Sequence, residues 1–87
     1  MRLFRIYDSK AETYGPILEA DNSAVAIRMV QRAVDDESSE WSIHAEDYSL
    51  WEVGETDRDT ASISPTTPSC LIHLHELRTQ NAIKAVG

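Results

Sequence analysis

Asn22-Ser23-Ala24-Val25-Ala26-Ile27-Arg28-Met29-Val30-Gln31-Arg32-Ala33-Val34 is the stretch that decides the fold class. Ala26, Ile27, Val30, Ala33 and Val34 recur at the i, i+3, i+4, i+7 spacing of one helical face, and Asn22 or Ser23 offers a capping oxygen just ahead of them. The spacing predicts one amphipathic helix from about residue 23 to about 35, with Arg28 and Arg32 one turn apart on its outer side. Such a helix must bury its apolar stripe against another element, and the flanking segments supply a sheet. Residues 2–8 alternate as a strand, with Phe4 and Ile6 on one face and Leu3, Arg5 and Tyr7 on the other. The polar run 8–16 ends in Gly15-Pro16 and reads as a loop, followed by a short extended piece at Ile17-Leu18.

Beyond the helix, residues 35–47 lose all periodicity and read as an irregular connection tethered by Trp41. Tyr48-Ser49-Leu50-Trp51-Glu52-Val53 alternates as a second strand and Ala61-Ser62-Ile63-Ser64 as a third, joined as a hairpin around the polar residues 55–60. Pro65 and Pro68 place the next connection in an exposed turn, and Cys70-Leu71-Ile72-His73-Leu74 forms a fourth strand. The expectation is a single small α+β domain over residues 1–77, one helix packed on a mainly antiparallel sheet of about four strands in the order β-α-β-β-β. Residues 78–87 are expected to be a tail, weakly helical or disordered.

One helix covers one face of a sheet. The second face is expected to carry Leu3, Arg5, Tyr7, Tyr48, Leu50, Glu52, Leu71, His73 and His75, too apolar a set to stay wet in a chain of 87 residues. A homo-oligomer follows as an expectation, a dimer before other states, with Leu3, Leu50 and Leu71 in the interface; the alternative is the tail folded back over the face. Trp51, sharing its face with Val53, is expected beneath the helix at Ile27 and Val30.

The formal charge of −7 is concentrated in one segment. Residues 35–59 hold ten acidic side chains against Arg58, net −9, whereas residues 1–34 hold five basic (Arg2, Arg5, Lys10, Arg28, Arg32) against four acidic (Asp8, Glu12, Glu19, Asp21), net +1. This balance argues against generic adsorption to nucleic acid or to an anionic membrane, so any DNA contact has to be local. Charges at Arg2, Arg5 and Asp8 break the apolar run that a signal peptide or membrane span needs, and the single cysteine, Cys70, excludes an intramolecular disulfide. Both point to a reduced cytosol.

No enzyme signature is found. The three glycines, at 15, 54 and 87, form no phosphate loop, no serine lies in a nucleophile elbow, and Cys70 sits among strand residues that leave a thiol inert. His73-x-His75 puts two imidazoles on one side of a strand, with Cys70 expected on the other, and two ligands are too few for a metal site. Asp57-Arg58-Asp59 lacks the glycine and distal glutamate of a calcium loop. No metal, cofactor or catalysis is expected, and the protein is read as acting by binding. Arg28 and Arg32 make a small basic stripe, and Arg5, Tyr7 and Tyr48 with the strand histidines can make a stacking surface for single-stranded nucleic acid. The same aromatics can serve as the buried half of a dimer interface, which Glu52 on that face favours because it repels phosphate.

Three stretches resemble a known family: Tyr7-Asp8-Ser9-Lys10-Ala11-Glu12-Thr13-Tyr14, Ala26-Ile27-Arg28, and above all Glu46-Asp47-Tyr48-Ser49-Leu50-Trp51-Glu52-Val53-Gly54-Glu55-Thr56-Asp57. Together with their order over about residues 1 to 77, they are similar to the small non-structural protein of gokushovirus-type microviruses, single-stranded DNA phages of bacteria. The chain departs from that family's pattern at Thr56, where an aromatic residue is common after Gly-Glu, and at Ala61, where a glycine closes the hairpin turn. The resemblance implies a protein of the infected bacterial cytoplasm, absent from the mature virion, that binds single-stranded DNA and assists genome replication or packaging. The alternative is an interaction module whose acidic segment docks on a replication initiator or host protein without DNA binding.

Overall fold

A computed structural model describes residues 1–78. Four strands form one antiparallel sheet: β1 (Arg2–Asp8), β2 (Thr13–Ala20), β3 (Tyr48–Thr56) and β4 (Ile63–His73), in the order β2-β1-β3-β4. The helix α1 spans Ser23–Asp35, a short helix α2 spans Glu40–Ile43, a 3₁₀ turn follows at Ala45–Asp47, and residues 74–78 are helical. The α+β class with a four-stranded antiparallel sheet is as the sequence predicts. The element order is not: an extra strand, β2, precedes the helix, and the expected third and fourth strands are one continuous β4. The tail expected from residue 78 onward lies outside the described residues except for Arg78.

α1 starts where the pattern places it, with the Asn22 side chain accepting a hydrogen bond from the Val25 N–H at 3.0 Å. Its stripe Ala26, Val30 and Val34 is buried against Phe4, Ile6, Ala20 and Leu50 of the sheet. At the far end the Ser39 hydroxyl donates to the Ala33 carbonyl and accepts from the Ser42 N–H, so one side chain closes α1 and caps α2. Trp41 packs on the edge of this core as a tether. Leu74 and Leu77, one helical turn apart, complete it, both essentially fully buried. The chain thus stops being a strand at His73, and the i, i+3 leucine pair belongs to a helix rather than to an alternating strand.

Two proline positions make β4 look like two segments in the sequence. Pro65 and Pro68 lie inside an edge strand, whose outer side needs no ladder hydrogen bond, and both are tolerated there. Pro68 falls where the register with β3 slips between Glu52 and Gly54. A second bulge between Leu50 and Trp51 leaves Leu71 without a direct partner, so Cys70 pairs with Trp51 and His73 with Ser49.

Register also overturns the expected faces of β3. Ile6 pairs with Leu50 and Asp8 with Tyr48, which puts Leu50 and Tyr48 on the helix side; Arg5 pairs with Trp51, which puts Trp51 on the uncovered side. Leu50 is fully buried, so it is a core residue and not part of an interface, and Leu71 packs against the same core. Val53 is the extra residue of a bulge between Leu3 and Phe4, and so shares no face rule with Trp51. Leu3 alone of the three expected interface leucines remains on the uncovered side, opposite Gly54.

At Gly54 the strands approach so closely that an added Cβ would lie 2.8 Å from the Ser64 carbonyl oxygen, and Gly54→Ala is expected to cost about 1–3 kcal/mol in urea unfolding. The hairpin after β3 is closed by the Asp57 carboxylate, which accepts from the Asp59 and Thr60 N–H groups, and by Ala61 at φ 60°. A non-glycine residue is strained there, so Ala61→Gly is expected to raise stability by about 0.5–1 kcal/mol, read as an upward shift of the urea midpoint. The adjacent pair Leu50 and Trp51 separates the two faces: Leu50→Ala should cost about 2–5 kcal/mol, whereas Trp51→Ala should cost no more than about 2 and keep the helical circular dichroism. The reverse ranking would place the indole in the core.

Candidate nucleic-acid interface

Among the described residues the helices pack on the side of Phe4, Ile6 and Leu50, and the other side of the sheet carries a cluster of rings. Tyr7 on β1 pairs with Tyr14 on β2, their ring centroids 4.9 Å apart and tilted by 55°. Tyr14 meets Trp51 of β3 edge-on, 6.1 Å away at 83°. The Trp51 indole N–H donates to Ser49 Oγ at 2.8 Å, which ties the ring to a residue two positions back on the same face of β3. Ile17, 60% exposed and opposite Arg5, extends the patch toward the β2 edge.

A bulge positions this cluster. β1 and β2 lose register between Arg5 and Tyr7, where Gly15 and Pro16 stand opposite Ile6, and the slip turns the Tyr14 and Gly15 carbonyls out of the ladder. Arg5 recovers them: its Nε and Nη2 donate to the Gly15 carbonyl at 3.0 and 2.9 Å, and Nη2 also reaches the Tyr14 carbonyl at 3.4 Å. The guanidinium therefore ties the β2 segment that carries Tyr14 to β1, beside Tyr7.

The five residues expected at a DNA site do not form one constellation. Arg5 and Tyr7 share the uncovered face. Arg28 and Arg32 are exposed on the outer side of α1, at the back of the molecule, so they cannot join a groove on the sheet of the same chain. Tyr48 sits on the helix side opposite Asp8 and packs against the core; burial first, then the carboxylates of Asp8, Glu40 and Asp47, push its phenol above the ordinary tyrosine range. Glu52, expected to repel phosphate from the open face, is paired with Phe4 on the helix side and meets Arg2 at 3.6 Å. Tyr14 and Trp51 were missed as site residues. Tyr14 lay in an assumed loop, and Trp51 was assigned to the wrong face by one residue of strand parity.

At the end of the face, where β1 finishes and β3 begins, the rings border a cleft of about 220 Å³. Around the corner, a wider groove of about 350 Å³ is lined by Asp8, Lys10, Glu40, His44, Asp47 and Tyr48. His73 and His75 stack at 5.9 Å. Cys70, exposed, is brought to the side of His73 by the Leu71 bulge rather than opposite it; burial, with the Glu76 carboxylate adding to it and an Ile72 backbone hydrogen bond opposing, pushes its thiol up. Among the described residues no three His, Cys, Asp or Glu side chains are grouped to hold a metal ion, and no helix is long and apolar enough to cross a membrane.

Neither a curated protein nor a solved structure matches the chain. The family model of the phage ORF5 protein does, over residues 1–77, which takes in the whole sheet, α1, the ring cluster and the buried Leu74 and Leu77. That match covers 77 of 87 residues, and the chain belongs to this family of phage proteins.

Proposed function

We propose that this phage protein binds single-stranded DNA on the uncovered face of its sheet and so assists genome replication or packaging, without catalysis, in the cytoplasm of the infected bacterium. The observation that carries the reading is the contiguous ring set Tyr7, Tyr14 and Trp51, spread over three neighbouring strands on a face that none of the described helices covers. Aromatic side chains on a sheet surface bind single strands because every base has a face to stack, whereas duplex DNA keeps its bases stacked on each other. Arg5 supplies positive charge beside the rings, and Glu52 lies on the other side, which leaves Glu19, opposite Leu3 at the far end of β1, as the exposed carboxylate of the sheet surface itself. The resemblance to the gokushovirus-type non-structural protein supports the same role. A homodimer through this face would compete with DNA for it.

Titration of the tryptophan fluorescence with single-stranded and duplex oligonucleotides over a salt series tests the proposal. Single strands should bind more tightly and quench Trp51, with log affinity falling linearly in log salt. Trp51→Ala or Tyr7→Ala should weaken binding about tenfold, the scale of one lost stacking contact. Arg28→Ala with Arg32→Ala should leave affinity within about twofold, because those side chains lie on the opposite surface. Absence of binding at low salt overturns the proposal and favours the second reading, in which the acidic groove of Asp8, Glu40 and Asp47 docks a basic segment of a replication initiator or host protein.

A further inference from the structure

The cleft at the end of the uncovered face has a chemistry different from the rest of that face. It is lined by Tyr7, Trp51 and His73 of that face, by Tyr48 where β3 begins, and by the acidic residues Glu46 and Asp47. No lysine or arginine lines it among the described residues; Arg78 approaches Glu46 only from outside, at 4.0 Å, with both side chains largely in solvent. The Ser9 hydroxyl is committed to the Asp47 carbonyl at 3.0 Å, and Ser49 Oγ already accepts the Trp51 indole N–H. What remains open to a ligand is aromatic surface, the two acidic residues as acceptors, and neutral hydroxyl and imidazole groups, with no cationic side chain.

This combination rejects a phosphate and accepts a flat, uncharged ring that carries N–H donors on its edge. At about 220 Å³ the cleft is smaller than the roughly 300 Å³ at which pockets for drug-sized ligands begin, a size for one ring system rather than a run of nucleotides. A carboxylate accepts a hydrogen bond from the exocyclic amino group of cytosine; thymine presents a carbonyl oxygen at the same position and would set oxygen against oxygen. Resting on the single-stranded DNA reading above, we infer that this cleft takes one base of the bound strand and selects an amino-bearing base over thymine through Asp47 and Glu46. The phosphates then stay outside, on the Arg5 side of the rings, which reconciles an acidic cleft with a polyanionic ligand.

The test compares oligo(dC) and oligo(dT) of equal length by the same fluorescence titration, above neutral pH so that cytosine carries no extra proton. The wild type should favour oligo(dC) by roughly fivefold or more, the discrimination of one good base contact. Asp47→Asn with Glu46→Gln should bring the two affinities within about twofold while oligo(dT) binding holds or rises, since an amide can donate to the thymine carbonyl. Equal wild-type affinities overturn the base selection and leave the sheet-face binding standing. Binding of neither oligonucleotide overturns both. Selection that persists unchanged in the amide variant removes the carboxylates from it, and if that variant does not fold, the wild-type comparison alone decides.

Discussion

The pairing of Ile6 with Leu50 across the two central strands is the constraint on which the rest depends. It places Phe4, Ile6 and Leu50 on one face and gives α1, the 3₁₀ turn and the helical turn at 74–78 a single surface to bury. With a side-chain period of two, the same pairing sends Tyr7 and Trp51 to the other face without any further choice. Core and ring cluster are therefore two consequences of one register. A slip of β3 by one residue would put the Trp51 indole and Ser49 under the helix and expose Leu50 and Tyr48.

The parts of the fold that were legible in the sequence are those fixed by local chemistry. α1 announced its limits through Asn22 and its stripe, and β1 through alternation, since each signal needs only neighbours in the chain. The parts that were not legible depend on irregular register. Tyr48-Ser49-Leu50-Trp51-Glu52-Val53 offers two apolar sets, Tyr48 with Leu50 and Trp51 with Val53, and alternation alone cannot choose between them. The choice is made by Ile6 on a strand more than forty residues earlier, and the bulge at Val53 then removes that residue from either set. β2 was hidden for a related reason: Gly15-Pro16 marks a bulge on an edge strand, and in sequence such a bulge looks like a turn.

Of the candidate site, residue types were readable and their grouping was not. Arg5 and Tyr7 were found because β1 was correctly phased. Arg28 and Arg32 were grouped with them only by charge, and the fold sets the thickness of the core between the two pairs. Arg5 has a structural task that composition cannot reveal, holding the carbonyls that the β2 bulge frees and with them the position of Tyr14. Its double duty joins the stability of the sheet edge to the shape of the surface, so a change at Arg5 alters both together.

The acidity of the chain bears on this surface less than the total of −7 suggests. The ten acids of residues 35–59 are contiguous in sequence, but β3 carries them apart. Its eight steps from Tyr48 to Thr56, at about 3.3 Å each, separate Glu46 and Asp47 at the cleft from Asp57 and Asp59 at the hairpin by roughly 26 Å. Exposed charges so far apart are screened from one another at physiological ionic strength, where the Debye length is about 8 Å. Glu52, midway, is turned to the helix side and paired with Arg2. A strand laid over Tyr7, Tyr14 and Trp51 would meet Arg5 at close range, with Glu19 beyond Ile17 and the two cleft carboxylates as opposition. Those two sit where a base rather than a phosphate would enter, so local geometry, not net charge, sets the electrostatics of this face.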